Sequence, residues 1–279
     1  MPRRYVPESG DGRTILVVAA HADDFALFCG GTIALWADHA WRVVAVRLTD
    51  DRWDSIGLDE AATIEANRSE LEEAAGILGI AEIVELGYPT DLLGDASLVA
   101  LRERIIRLIR THRPYATATF DPYSAPHEDN QDHIRLAQAV DEAFWTSQFD
   151  KHHPEHAAEG LEPHGAFERW YFGRRVHQVT DVVDISATLE RKIGAATAHA
   201  TPMRNYAHQL VLQARTGGWR LPGADAALAG GPIGDLLAPL LHASAAATGA
   251  RHGLEAAEEF RVVRFGGLDA LLERDGVRL

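Results

Sequence analysis

Residues 14–31 read TILVVAAHADDFALFCGG. The run Thr14 to Ala20 is continuously apolar and rich in β-branched residues, the pattern of a strand buried on both faces. Such strands belong to parallel sheets covered by helices. The turn that ends this one carries His21, Asp23 and Asp24, where a strand end usually has Gly, Asn, Pro or a single Asp. His21 and Asp24 stand three residues apart and can point the same way; Asp23 then points elsewhere.

Working outward, the same alternation recurs. Trp41 to Leu48, Glu82 to Leu86 and Tyr115 to Phe120 read as further strands. Gly31 to His39, Asp59 to Leu78, Leu98 to His112 and Asp132 to Ser147 read as helices, the second closed by Gly79 and the third stopping before Pro114. The expected fold is α/β, a Rossmann-like open, mostly parallel sheet with helices on both faces. Its order should set the first and fourth strands side by side at the switch point, where open α/β sheets bind ligands. Gln148 to Glu168 reads as a long surface excursion, with a lid over the crevice as one reading. Strands are expected at Phe167 to Phe172 and Val179 to Ile185. Helices are expected at Ser186 to Ala198, with Ser186 as N-cap, Asn205 to Thr216 and Ile233 to Ala247. The expectation is a single domain over 1–279: a Rossmann-like core, 1–147, carrying the site, and an α+β C-terminal extension, 148–279, completing the crevice.

The chain has 279 residues, 46% hydrophobic, and a formal net charge of −14. A chain this acidic is a poor match for nucleic acid or an anionic membrane surface. The lone Cys29 rules out an internal disulfide framework and fits a buried apolar position and a reducing compartment. The sequence shows no signal peptide or membrane span, so a cytoplasmic protein is expected; homo-oligomerisation is left open.

A second cluster follows the fourth strand: Asp121, His127, Glu128, Asp129, Asn130, Asp132 and His133. The two clusters should face each other across one crevice. A His and a carboxylate from one loop and a His from the other make a three-ligand set with an open fourth position, as in catalytic zinc sites. Asp23, beside such a site, is placed to take a proton from water. A dinucleotide site is set aside, because Gly30 and Gly31 lie too far into the helix and acids occupy the turn. HHPEH (152–156) reads as surface loop, Trp170 and Tyr171 as core, and His199 as a cation at a helix end.

AHADDFALFCGGTIA and NQDHIRLAQAV resemble the two motifs of the PIG-L/LmbE deacetylases, A-H-P-D-D-E and H-x-D-H. ELEEAAGILGI, ELGYPTD, VVDISATLERK and AAEEFR are also similar to that family. The resemblance implies a metal-dependent hydrolase that removes the N-acetyl group from an N-acetylglucosamine-type sugar or glycoconjugate. The alternatives are cleavage of a larger sugar conjugate and a catalytically silent sugar-binding homologue. It implies Zn2+, with Fe2+ or another divalent ion as alternatives, held by His21, Asp24 and His133. Asp23 would be the general base and Asp132 would orient a ligand or the base. Arg68 and Asp91 are candidate substrate contacts, with a helix-surface arginine and a loop cap as the competing readings. The chain departs from the pattern at Ala22, Phe25 and Asn130. Asn130 stands where the family has an oxyanion-stabilising, proton-donating histidine. Its amide can donate a hydrogen bond but not a proton, so the proton role falls to Asp23 or His127.

Overall fold

A computed structural model describes residues 2–277. Eight strands form one sheet: β1 (Arg3–Tyr5), β2 (Thr14–Ala19), β3 (Arg42–Thr49), β4 (Glu82–Tyr88), β5 (Ala116–Phe120), β6 (Glu168–Phe172), β7 (Asp181–Asp184) and β8 (Ala257–Arg264). Their order is β1-β7-β8-β6-β5-β2-β3-β4. Only β8 runs antiparallel to its neighbours, β6 and β7. β2 pairs in parallel with β5, Val17 opposite Ala118, and with β3 on its other side. The chain order therefore reverses at β2, and the expected switch point lies there.

The helices are α1 (Asp24–Asp38), α2 (Glu60–Leu78), α3 (Leu98–His112), α4 (Gln131–Thr146), α5 (Glu155–Ala158), α6 (Leu189–Ala198), α7 (Ala200–Thr216), α8 (Pro222–Leu228), α9 (Gly234–Ala250) and α10 (Asp269–Asp275). α1, α2 and α6 pack together, as do α3 and α4. β2 has both faces in the core, with Ile15 to Ala19 almost fully buried, so its continuous apolar run is required. Each such side chain contributes roughly 1.5–3 kcal/mol. Asp59 caps α2 by accepting from the Ala62 N–H, and Gly79 ends it in the left-handed region at φ 80°. Among the described residues no helix is long and apolar enough to cross a membrane.

The Gly30–Gly31 pair has a packing origin. A Cβ on Gly31 would come within 2.7 Å of the Ile185 side chain. The Gly31 and Thr32 N–H groups donate to Glu258, 3.0 and 2.9 Å away. β8 thus locks onto α1, a contact between chain segments far apart in sequence.

Four expectations need correction. α1 begins at Asp24 rather than Gly31, bending at Cys29. Ser186 does not cap α6: its hydroxyl donates to Asp184 and the helix begins later, at Leu189. β1 and β8 lay outside the expected elements; both are bracketed by polar residues that blur their periodicity. The excursion 148–167 is no lid. Arg110 holds it through the carbonyls of Ser147, Phe149, His152 and His153, and His164 Nε2 lies 2.8 Å from the Pro114 carbonyl oxygen. These anchors flank the start of β5, at the ends of the strands opposite the two clusters. HHPEH belongs to the same anchor: His156 is buried between Arg110 and Glu103, so both its nitrogens have partners.

Candidate metal centre

The turn after β2 and the loop after β5 meet because β2 and β5 are neighbours. Asp24 Oδ2 accepts from the backbone N–H groups of Ala20 (3.1 Å) and His21 (2.8 Å), so the carboxylate is aimed back over the strand end and does not cap α1. From the other loop His133 enters on the first turn of α4, its ring stacked on Phe120 at 3.9 Å. His21 Nδ1 and His133 Nε2 lie 3.1 Å apart. Both face Asp24, at 3.6 Å and 3.3 Å.

The outward nitrogens also have carboxylates. His21 Nε2 is 3.4 Å from Asp132 Oδ2, and His133 Nδ1 is 3.1 Å from Glu128 Oε2. Asp132 is itself oriented by the N–H groups of Asp91 (2.7 Å) and Leu93 (3.1 Å), from the loop after β4. Asp51, after β3, supports the opposite side: it accepts from the Ala22 N–H at 2.9 Å and from Thr49 Oγ1 at 2.8 Å. Four loops thus converge on one point.

The site gathers acidic groups at close range. Asp23, Asp24, Asp51 and Asp132 are all buried. Burial, then the Asp24 charge, pushes the Asp23 carboxyl up to about 8. Burial, then neighbouring carboxylates, takes Asp54 up to about 7. Burial resists ionisation of Asp24, yet the His133 contact holds its carboxyl well below the usual range. Burial alone would lower His21, but Asp132 and Asp24 raise it well above an ordinary histidine. Two imidazole nitrogens and a carboxylate oxygen, all within 4.8 Å of one another, fit a divalent ion that takes N and O ligands. One oxygen of Asp23 is buried without a hydrogen-bond partner beside them, at the N-cap position of α1 but making no cap bond.

Asn130 caps α4: its Oδ1 accepts from the N–H groups of Asp132 (2.8 Å) and His133 (3.4 Å). The side-chain N–H2 makes no hydrogen bond among the described residues. His127 is exposed and lines a narrow cleft with His133, Glu128 and Arg174.

A model of one protein family, PIG-L: GlcNAc-PI de-N-acetylase, matches residues 16–144. A diacetylchitobiose deacetylase of Thermococcus kodakarensis is 30% identical over 195 residues, 68% of this chain and 70% of the relative. The chain belongs to the PIG-L family. A second member, the 1D-myo-inositol 2-acetamido-2-deoxy-alpha-D-glucopyranoside deacetylase of Mycobacteroides abscessus, is 31% identical over 48% of this chain and 57% of its own length. The PIG-L fold extends beyond the matched segment: the N,N'-diacetylchitobiose deacetylase of Pyrococcus horikoshii superposes with a TM-score of 0.73 at 23% identity, covering 91% of this chain and 85% of that one.

Against this PIG-L chain the remaining sequence candidates divide. For Arg68 the structure shows the helix-surface arrangement, with ion pairs to Glu65 and Glu72 of its own helix. Its neighbour Asn67 reaches the carbonyls of Asp51, Asp54 and Thr63. Asp91 stands at the rim, its backbone at φ 61° and its N–H on Asp132. His199 is corrected. It is fully buried with neither ring nitrogen partnered, and burial pushes it down to about 4, so it is neutral. Asp51, Asp54 and Tyr206 were missed, and Glu128, named with the second cluster, had been given no role behind His133. Tyr206, on α7, has its hydroxyl raised well above the usual range, first by the Asp23 charge and then by burial. The one local signal was the Asp50–Asp51 pair at the end of β3, which repeats the Asp-Asp pattern after β2.

Proposed function

We propose that this chain is a divalent-metal-dependent amidohydrolase that removes the N-acetyl group of an N-acetylglucosamine-type sugar or conjugate. The observation that carries the reading is the convergence of His21, Asp24 and His133 with a buried, unpartnered Asp23 oxygen beside them. The deacetylase relatives support it.

The ligands proposed are His21, Asp24 and His133, and Zn2+ is the ion their donor set favours. When bound, such an ion polarises an amide carbonyl and makes water a nucleophile near neutral pH. The chain's own residues do the rest. Asp23 accepts the proton as the water oxygen bonds to the acetyl carbon. The Asn130 amide, oriented by its cap bonds, donates to the acetyl oxygen as charge develops there. When the C–N bond breaks, the proton passes to the leaving nitrogen from Asp23, or a proton comes from His127; the products are a free amine and acetate. Asp132 and Glu128 hold the two imidazoles so that their inward nitrogens face Asp24.

The direct test is to incubate the metal-loaded protein with a panel of N-acetylated amino sugars and assay free amine and acetate. Release of both in equal amounts is expected, and no release from any substrate overturns the reading. Glu128→Gln is expected to weaken Zn2+ binding roughly 10–100-fold, the usual cost of losing a partner behind a ligating histidine; competition against a chelating dye measures it. Asn130→Ala should lower kcat on the order of 10²–10³-fold with a smaller effect on KM. Asn130→His should retain much of the activity. If His127 supplies both proton and hydrogen bond, His127→Ala is the crippled variant instead, and assaying the two alanine variants on one substrate decides.

A further inference from the structure

Just past β6 the chain presents Arg174 and Arg175 in succession, and a cavity of about 490 Å³ opens beside them. β8 runs opposite to β6, so its first residues lie at this same edge of the sheet and wall the cavity with Glu258 and Glu259. Two contacts tie the cavity to the metal centre. Phe28 lines it, and the same ring packs on Phe120 at 4.9 Å and edge-on to His133 at 5.9 Å. Arg174 Nε lies 3.1 Å from Glu128 Oε1, and the other oxygen of Glu128 faces His133.

The charges on this wall do not cancel. Lys192 and Glu258 pair at 2.5 Å, and Glu258 also accepts from Gly31, Thr32 N–H and Thr32 Oγ1. Glu259 pairs with Arg251 at 2.8 Å and faces His252. Both carboxylates are thus committed. Arg174 is held by Glu128. Arg175 is exposed and makes no ion pair or hydrogen bond among the described residues. Of the four cationic side chains that line the cavity, Lys192, Arg251 and Arg174 are thus paired with Glu258, Glu259 and Glu128, and Arg175 is the positive charge left over among the described residues, in a chain whose net charge is −14. A cationic pocket in so acidic a chain draws an anion to this spot in particular.

We infer that the cavity takes an anionic group, carboxylate or phosphate, carried by the substrate on its amino sugar, with Arg175 as its ion partner. The inference rests on the deacetylase reading, because the acetamido group would then sit at His21, Asp24 and His133 while the rest of the substrate passes Phe28. A guanidinium meets either anion with two parallel N–H donors.

The experiment compares three substrates with the metal-loaded protein: the neutral methyl glycoside of N-acetylglucosamine, its carboxymethyl glycoside, and N-acetylglucosamine 1-phosphate. Binding of the three matching amines is measured by calorimetry. At least one anionic substrate should exceed the neutral one by roughly 10-fold or more in kcat/KM, the scale of a charge-assisted hydrogen bond; which one it is names the anion. Arg175→Ala and Arg175→Glu should collapse that ratio, and Arg175→Lys should keep part of it. Equal kcat/KM for all three, or a ratio untouched in Arg175→Ala and Arg175→Glu, overturns the inference. If none is turned over, binding decides: anion-dependent binding lost in Arg175→Glu upholds the cavity and sinks only the deacetylase reading, while binding indifferent to the anion sinks the cavity as well.

Discussion

Asp23→Asn is expected to keep its metal and lose turnover by roughly 10²–10⁴-fold, the range for a positioned general base. Asn has the size of Asp and is neutral, and the native carboxyl is already pushed up to about 8 by burial and by Asp24. The substitution therefore replaces a carboxyl that the crowded acidic site forces to take up a proton, without opening a cavity, and the metal-free protein should unfold at the same or a higher temperature. Metal content and steady-state rates on one N-acetyl sugar form the test. Near-normal turnover would remove Asp23 from the role. Loss of metal would mean that Asp23 and Asp24 have exchanged parts.

His133→Ala is expected to abolish tight metal binding, by more than the roughly 100-fold that loss of an outer hydrogen-bond partner costs. Two donors, His21 and Asp24, would remain. His133 is also a packing residue, stacked on Phe120, so alanine leaves a void; His133→Gln fills more of it and separates lost ligation from lost packing. Metal analysis after dialysis, with circular dichroism to check the fold, measures both. Full metal retention in His21→Ala and His133→Ala together would refute the ligand set.

Much of this site was legible along the chain because its motifs are local. His21, Asp23 and Asp24 share one turn, and Asn130, Asp132 and His133 share another, each directly after a strand whose apolar run announces it. Periodicity identified β2 to β5, and the strand order usual for a doubly wound sheet then makes neighbours of β2 and β5. The residues that were missed act across the fold. Asp51 supports the first loop by accepting from the Ala22 N–H, and its spacing does not differ from that of an ordinary loop acid; Glu128 was named with its cluster, but only the fold showed that it stands behind His133. Arg68 and Asn67 show the limit most directly. They are adjacent on α2, and a rotation of about 100° per residue turns the arginine to Glu65 and Glu72 of its own helix and the asparagine to the carbonyls of Asp51 and Asp54.

By itself, then, the sequence determined the α/β class, the switch point and the two turns that carry His21, Asp24 and His133. Those features are set by apolar periodicity and by the chemistry of neighbouring residues. The tertiary structure alone decided which way each side chain faces and what it meets. It tied the 148–167 excursion down at the ends of the strands opposite the site and left His199 buried and neutral. It also brought the start of β8 beside Arg174 and Arg175. Each of those outcomes depends on contacts between segments tens to hundreds of residues apart, and burial and ion pairing, which fix charge states, exist only once those segments have met.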